Sequence, residues 1–152
     1  MLKYTVELDI ARPREEVAEL YEDPQQLVKW QKGLQSVEHL AGDPGQVGAK
    51  SRLVFQIEGR TVVMTETILV RDPPERFERL YDATGVSNTV RHRLIRLEED
   101  RTKWISENEF HFRGSMRVVG WLMKGAFPKQ SLAYLEAFKA LAERGVDVRD
   151  QQ

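Results

Sequence analysis

Hydrophobic and polar residues alternate along the first positions of the chain. From Lys3 to Ile10, apolar side chains occupy every second position, and hydroxyl or carboxylate side chains lie between them. This period of two is typical of a half-buried β-strand. The pattern then changes to helical spacing in ARPREEVAELYEDP, where Pro13 suits the first helical position and Glu15 and Glu16 lie near the positive end of the helix dipole. A strand followed by a short helix is therefore predicted.

A second short helix and a series of strands are predicted next. Asp23 can cap this helix, Pro24 would be its first residue, and Gly33 would end it. From Leu34 to Phe112, strands are separated by turn signals at GDPG (42–45), Gly59, DPPE (72–75), ATG (83–85) and EED (98–100). Because short loops join antiparallel neighbours, these six strands are expected to form a meander.

The last part of the chain, Gly114 to Gly145, has helical spacing, but Gly120, Gly125 and Pro128 are expected to divide it. One face of its second half carries Phe127, Ser131, Leu135, Phe138 and Ala142. This order of elements predicts an α+β fold, in which a curved antiparallel sheet of about seven strands wraps around a long C-terminal helix and leaves a cavity. No repeat or linker divides the chain, so we expect a single domain over residues 1–146 and a tail over 147–152.

Four segments of the chain resemble one known superfamily. They are ARPREEVAELYEDP with Trp30 shortly after it, VGAKSRLVF, ILVRDPPERF, and SENEFHFRG leading into GAFPKQSLAYLEAFKALAE. In this order and spacing, and over essentially the whole chain, they resemble the SRPBCC superfamily of START, birch-pollen-allergen-like and polyketide-cyclase-like domains. The resemblance implies the helix-grip fold. It leaves the function open, because the superfamily includes lipid and hormone carriers, polyketide cyclases, oxygenase subunits and chaperone activators.

Composition narrows the classes of function. The chain has 23 basic and 24 acidic residues among 152, which argues against a nucleic-acid partner. It has no cysteine, so disulfides and thiolate chemistry are excluded. His39, His92 and His111 fall on three separate predicted strands without ligand spacing, so we expect no metal site, and nothing implies another cofactor.

Two segments of the chain indicate where in the cell the protein is located. The opening MLKYTVELDI is charged and alternating, unlike the apolar part of a signal peptide, and the uncharged run Val118 to Met123 is too short to span a bilayer. We therefore expect a cytoplasmic protein without stable membrane insertion. The segment SMRVVGWLMKGAF has amphipathic character, but its basic residues are few, and we give membrane contact little weight. The oligomeric state is left open, with a homodimer among the options.

Hairpin geometry predicts which side chains share the concave face of the sheet. A two-residue turn at Gly59 and Arg60 would place Leu53 opposite Glu66. A four-residue turn at DPPE would place Val70 opposite Phe77, Ile68 opposite Arg79, and Glu66 opposite Tyr81, and the turn at 83–86 would then place Tyr81 opposite Asn88. Glu66, Tyr81 and Asn88 would therefore form one row across three strands.

The last hairpin has two alternatives. A three-residue loop at 98–100 would place Asn108 opposite Val90 and Ser106 opposite His92, whereas a two-residue loop would exchange the two faces. We prefer the first, because it turns Trp104 and the phenylalanines that follow it inward.

The carboxylate of Glu66 has two interpretations of equal weight. In the first interpretation, it forms an internal ion pair with Arg79, helped by the hydroxyl of Tyr81, since a buried carboxylate without partners is destabilising by several kcal/mol. Alternatively, it orients a ligand or transfers a proton. The register separates Glu66 from His92 by roughly 16 Å before their side chains extend, so the two are not a catalytic dyad.

The other candidate ligand contacts are polar residues near the cavity and apolar residues of its wall. They are Tyr81, Arg79, Asn88, Asn108, His92, Trp30, Phe55, Met64, Trp104, Met123 and Phe127. For His92 and Asn108 a hydrogen-bonded structural role is favoured, and the aromatic residues are favoured as core or wall.

Three functions remain. The first is binding of a hydrophobic small molecule, such as a lipid, a polyketide or an isoprenoid-like compound, in an internal cavity between the sheet and the C-terminal helix, with the segment around Gly120, Gly125 and Pro128 as a gate. The second is a polyketide cyclase or dehydratase in which Glu66 takes a proton from carbon next to a carbonyl and Tyr81 or Arg79 stabilises the enolate. The third is a protein-interaction module resembling chaperone activators, which would need little cavity and a large apolar outer patch.

Overall fold

Seven antiparallel strands form one curved sheet in the computed structural model, which describes residues 1–151. The strands are β1 (Leu2–Ile10), β2 (Leu34–Ala41), β3 (Lys50–Ile57), β4 (Arg60–Asp72), β5 (Arg76–Ala83), β6 (Val86–Glu98) and β7 (Arg101–Phe112). Their order across the sheet is β1-β7-β6-β5-β4-β3-β2, so β1 pairs with the last strand and the other six form the predicted meander.

The helices lie between β1 and β2 and after β7. They are α1 (Arg14–Glu22), α2 (Leu27–Trp30), α3 (Met116–Leu122) and α4 (Ala126–Arg144), and a 3₁₀ turn follows at Val148–Gln151. This arrangement confirms the predicted α+β helix-grip fold. The 3₁₀ turn lies in the predicted tail, the domain boundary at 146 stays a prediction, and residue 152 lies outside the described residues.

The second helix is shorter than predicted. Asp23 accepts a hydrogen bond from the backbone N–H of Gln25 at 3.0 Å, and Gln26 N–H bonds to the carbonyl of Asp23 at 3.1 Å. Asp23 therefore caps a turn, and α2 begins only at Leu27. The physical reason is that both Asp and Pro favour turns as well as helix starts, and local sequence does not distinguish the two.

The C-terminal segment is divided at one place, between α3 and α4. Gly120 lies inside α3, and Pro128 lies in the first turn of α4, where a backbone N–H has no helical partner to lose. The predicted breaks at these two residues are therefore wrong, and Gly125 alone of the three lies at the boundary. At the other end, Gly145 adopts a φ of 67° and closes α4 with a hydrogen bond to Leu141 O, as predicted.

The β3–β4 hairpin turns one residue earlier than predicted. Its turn residues are Glu58 and Gly59, which both have positive φ, at 51° and 78°. Tight two-residue hairpin turns favour this conformation. Leu53 consequently pairs with Met64 and not with Glu66, whose partner is Ser51. The predicted pairing is wrong by two positions, which leaves every side chain on its predicted face.

The β4–β5 hairpin contains a β-bulge. Near the turn, Arg71 pairs with Phe77, so the predicted pairing of Val70 with Phe77 is wrong. A register shift between Ile68 and Val70 then leaves one extra residue in β4, and beyond it Ile68 pairs with Arg79 as predicted.

The β6–β7 hairpin also contains a register shift. Glu98 pairs with Arg101, so its loop has two residues, and a shift between Arg96 and Glu98 restores the predicted pairing of Val90 with Asn108. The preferred facing of the strands is confirmed, although the loop length is wrong.

Aromatic side chains fill one end of the concave face. Trp104 and Phe138 are 0% exposed and their ring centres are 4.6 Å apart. Tyr21 and Trp30, from α1 and α2, pack edge-on or tilted against the same group. This cluster joins α1, α2 and α4 to the sheet, and burial of such large rings is a major source of stability.

The other end of the concave face is less tightly covered. Here Tyr4 of β1 contacts α4, with its hydroxyl 3.1 Å from Phe127 O and 2.6 Å from Ser131 Oγ. Phe110 and Phe112 contact the ring of Phe127 at 4.8 and 5.6 Å between ring centres. All three phenylalanines are only partly buried. The two ends of the concave face therefore differ in packing. The end with the aromatic cluster is called the packed end, and the end with the partly buried phenylalanines is called the open end.

Gly120 is expected to be essential for the packing of α3 on the sheet. A Cβ at this position would lie 2.7 Å from the ring of Phe112, whereas a Cβ at Gly125 would meet nothing within 4 Å. We expect Gly120→Ala to lower the free energy of unfolding by about 1–3 kcal/mol through overpacking. Gly125→Ala, at a φ of −76°, should be neutral or slightly stabilising. Urea unfolding measures both, and equal effects would contradict this account.

Candidate functional site

A buried ion pair lies at the centre of the concave face. Arg79 Nη1 donates a hydrogen bond to Glu66 Oε2 at 3.2 Å, and the two residues are 8% and 7% exposed. The guanidinium also lies over the ring of Tyr21, 4.5 Å from its centre. Burial by itself lowers the pKa of Arg79, but Tyr21, Glu66 and Tyr81 around it raise that pKa overall, so Arg79 stays charged. The ion pair between the two residues is therefore present as predicted.

The predicted row across three strands is also present. Glu66 pairs with Tyr81, and Tyr81 pairs with Asn88. Burial, and then the charge of Glu66, raise the pKa of Tyr81 well above its usual range. The Tyr81 hydroxyl therefore keeps its proton at neutral pH and can act as a hydrogen-bond donor beside the carboxylate.

An amide chain continues this row toward β7. Asn88 Nδ2 donates to Asn108 Oδ1 at 3.5 Å, and Asn108 Nδ2 donates to Ser106 Oγ at 3.1 Å. Asn88 Oδ1 is buried and has no hydrogen-bond partner among the described residues. An unsatisfied buried acceptor is destabilising by about 1–3 kcal/mol, so this oxygen has unused capacity to bind a donor.

His92 lies buried in the aromatic cluster, and its contact with a ligand stays a prediction. The indole Nε1–H of Trp104 donates a hydrogen bond to His92 Nδ1 at 2.8 Å, which requires that nitrogen to be unprotonated. Burial, and then the nearby charge of Arg79, lower the pKa of His92 to about 3. The ring is therefore neutral over the physiological range.

The apolar candidates divide between the packed and the open end. Trp30, Phe55 and Trp104 are 5%, 4% and 0% exposed and belong to the core. Met64 and Phe127 are half-buried, whereas Met123, at the end of α3, is 51% exposed. Contact of any of these residues with a ligand stays a prediction.

One contact and two surface depressions are absent from the sequence analysis. Tyr21 stacks on Arg79, and its hydroxyl, whose pKa burial raises to about 12, has no partner among the described residues. A depression of about 530 Å³ includes Thr65, Thr67 and Leu80, which alternate with Glu66 and Tyr81 and so face the outer side of the sheet. Another, of about 270 Å³, lies between α1 and α4. Strand alternation identifies the outer face, but the docking of α1 has no local signal.

Residues 1–151 contain neither a cluster of metal ligands nor a membrane-spanning helix. Within this range, no three His, Asp or Glu side chains are grouped so that they could hold a metal ion. None of the described helices is long and apolar enough to cross a bilayer.

Together these features define a helix-grip domain with a polar row on a partly apolar concave face. A model of the family described as polyketide cyclase / dehydrase and lipid transport matches residues 1–143, so the chain belongs to this family of the SRPBCC superfamily. The membership supports a ligand-binding or cyclase-like role. No curated protein gives a significant match.

Solved structures share the fold at low sequence identity. The chain is similar to the Zhui aromatase/cyclase from Streptomyces sp. R1128, with 20% identity, 93% of each chain covered and a TM-score of 0.78. A conserved protein from Geobacillus kaustophilus has 18% identity, coverage of 93% of this chain and 95% of its own, and a TM-score of 0.78. Ara h 8.0201 has 15% identity, coverage of 92% and 96%, and a TM-score of 0.73. At these identities the likeness shows the fold alone.

We expect the buried ion pair to be coupled strongly. Arg79→Met should lower the free energy of unfolding by about 3–5 kcal/mol, because it leaves the Glu66 carboxylate buried without its partner. The double variant Arg79→Met/Glu66→Leu should recover most of this loss in a double-mutant cycle. Arg52→Met, which removes the exposed Arg52–Glu38 pair at 3.1 Å, is the matched control and should have an effect below about 1 kcal/mol. Additive effects at Glu66 and Arg79 would show that the pair is not coupled.

Neutral His92 should make stability depend on pH. The unfolded pKa of histidine is about 6.5, and the folded pKa of His92 is about 3. Its contribution is therefore fully present above about pH 6.5 and is lost as the pH falls toward 3, by about 1.4 kcal/mol per pH unit. The difference in unfolding free energy between wild type and His92→Gln, measured by urea unfolding from pH 7 to about pH 4, should show this slope. His111→Gln, on an exposed side chain, is the control, and the same slope in both variants would refute the assignment.

Proposed function

We propose that the protein binds a hydrophobic small molecule, of lipid, polyketide or isoprenoid-like chemistry, against the open end of the concave face. The polar end of the ligand would be oriented by the residues of the central row and its neighbours. These residues are Glu66, Arg79, Tyr81, Asn88 and Asn108.

One observation carries the proposal. The buried Asn88 Oδ1 has no partner among the described residues, whereas Glu66 accepts a bond from Arg79 and Asn108 accepts one from the Asn88 amide nitrogen. A hydroxyl or amine of a ligand would satisfy this oxygen and so bind with a defined orientation. The polar end of the ligand is therefore proposed to carry a hydrogen-bond donor.

Apolar side chains beside this row would supply most of the affinity. Val62 and Met64 of β4 and Phe110 of β7 lie on the same face as Glu66 and Asn88, and all three are half-buried. Side chains that are still partly exposed to water gain free energy when a ligand covers them, by about 25 cal/mol per Å² of apolar surface. The aromatic cluster at the other end is fully packed and therefore has no partly exposed apolar surface that a ligand could cover.

Access would depend on α3. This helix contacts the sheet where Gly120 meets the ring of Phe112 and where Met116 lies beside Gly85 of the β5–β6 turn. The break between α3 and α4 includes Gly125, where added side-chain volume would meet nothing. A rotation of α3 about this break would widen the open end of the face.

Asn88→Ala should weaken binding of a ligand that bears a hydroxyl by about two- to tenfold, because it removes one hydrogen bond. Native mass spectrometry of protein purified from its own host identifies a ligand that copurifies. Thermal shifts with fatty acids, isoprenoid alcohols and aromatic polyketides then rank the classes. Thr89→Ala, on the opposite face of β6, is the matched control and should bind normally. No copurifying compound, together with no thermal shift across this panel, would refute the proposal.

A second candidate is a cyclase or dehydratase that uses Glu66 as the base. It is supported by the arrangement of a carboxylate, a protonated Tyr81 and a charged Arg79 around one point, since these groups could remove a proton and stabilise the enolate. Glu66→Gln should then abolish turnover of a poly-β-ketone substrate and leave its binding intact. If the protein only binds, the substitution should change affinity, and the wild type should show no turnover. The interaction-module function also stays a prediction.

A further inference from the structure

Helix α3 and Met123, the residue after it, expose large apolar side chains. Val118, Trp121, Leu122 and Met123, defined here as the α3 patch, are 62%, 67%, 68% and 51% exposed. Val118, Trp121 and Leu122 are spaced by three and four residues and so share one side of the helix. Gly120, on the other side, is buried against Phe112. Helix α3 therefore rests on the sheet through its small residue and directs its large ones to solvent.

The chain segment that carries the patch is basic. The segment 110–135 contains Arg113, Arg117, Lys124 and Lys129 and none of the 24 acidic residues of the chain. Among the described side chains, Arg113 has a carboxylate partner, Asp82 at 3.3 Å, and the other three have none within 4 Å. Lys124 Nζ lies 5.5 Å from the centre of the Trp121 ring. The segment therefore has three described cations without a carboxylate partner, in a chain whose net charge is −1.

We propose that the α3 patch docks the protein on the surface of an anionic lipid bilayer. Tryptophan favours the boundary between head groups and acyl chains, the aliphatic residues beside it favour the acyl region, and nearby cations are attracted to anionic head groups. The sequence alone does not favour membrane contact by this segment, because its basic residues are few. The structure favours it, since the apolar residues of the segment are exposed and not buried in the core.

A second copy of the chain is a less suitable occupant of the patch. A symmetric dimer would place the same surface of each protomer against the other. Arg117 and Lys124 of both protomers would then approach one another, and like charges in a desolvated interface are destabilising. An anionic surface has the opposite charge and needs no such approach.

Docking would also place the open end of the concave face next to the bilayer, since α3 borders that end through Phe112 and the β5–β6 turn. Met123 is the one residue of the α3 patch that is also a candidate ligand contact, and the variants below leave it unchanged. Vesicle binding and ligand binding can therefore fail separately.

The intrinsic fluorescence of the unmodified protein tests the proposal directly. Of its three tryptophans, Trp30 and Trp104 are buried and Trp121 is 67% exposed, so a change in emission on adding lipid reports on α3. Phosphatidylcholine vesicles that contain phosphatidylglycerol should shift the emission to the blue, and brominated lipid in them should quench it. Pure phosphatidylcholine vesicles should bind much more weakly, and added salt should weaken binding to the anionic vesicles.

Two double variants separate the apolar and electrostatic contributions in vesicle cosedimentation. Trp121→Ser/Leu122→Ser should weaken binding about a hundredfold, because two apolar side chains no longer enter the interface. Arg117→Gln/Lys124→Gln should weaken it about thirtyfold. The controls are Val47→Ser, at a valine that is 60% exposed in the β2–β3 loop, and Lys32→Gln/Arg60→Gln, at exposed cations far along the chain from α3. Both controls should bind like the wild type.

Two outcomes would overturn the proposal. One is an unchanged Trp121 emission with anionic vesicles at low salt. The other is a dimer, seen by sedimentation velocity without lipid, that is lost in Trp121→Ser/Leu122→Ser while vesicle binding is absent. The second result would assign the α3 patch to contact between copies of the chain.

Discussion

The register of the antiparallel sheet is the constraint on which the rest of this structure depends. Each strand buries one face, so a shift of one residue in β4 would move Glu66 to the outer side and bring its threonine neighbours inside. Two bulges preserve the observed register, one between Ile68 and Val70 and the other between Arg96 and Glu98. The extra residues, Leu69 and Leu97, are 38% and 40% exposed, so each bulge directs its surplus side chain outward.

The fixed register produces a concave face with two unlike ends. At one end, rings from α1, α2 and α4 close over the sheet, and His92 is held neutral within them by Trp104. At the other end, half-buried side chains and an unsatisfied amide remain. The ion pair of Glu66 and Arg79 lies between the two, tied to the packed end through Tyr21. Burial of two charges is unfavourable unless the pair is well coordinated, and this boundary supplies partners from both sides.

Sequence patterns predicted the order of elements and the facing of strands well, because both follow from periods of two and 3.6 residues. Pairing near the turns was predicted less well. Asp, Glu and Gly at a hairpin indicate a turn, but they do not distinguish a longer loop from a shorter loop with a bulge, as the Arg96 to Glu98 segment shows. The row of Glu66, Tyr81 and Asn88 was nevertheless correct, because the bulge at Leu69 offset the error in the DPPE turn.

Local sequence patterns do not predict the contacts between helices and strands. Helical spacing places Tyr21 on the same face of α1 as Val17, but its position over Arg79 depends on how that helix docks. The same limit applies to α3, since an apolar helical stretch looks alike whether a core or a solvent-exposed surface surrounds it. Gly120 decides between the two, because its lack of a side chain lets the ring of Phe112 approach and turns the larger residues away.

The ion pair does not by itself exclude a role for Glu66 toward a ligand. Arg79 bonds to Oε2 of the carboxylate, and Tyr81 directly opposite keeps its proton. The carboxylate therefore lies among charged and polar groups and not in an apolar core. Access separates the two roles of Glu66, because a ligand would have to reach this row from the less tightly covered end of the concave face. That end is bordered by α3, so in the proposed function the position of one short helix would govern both whether Glu66 meets a ligand and which surface the protein presents to its surroundings.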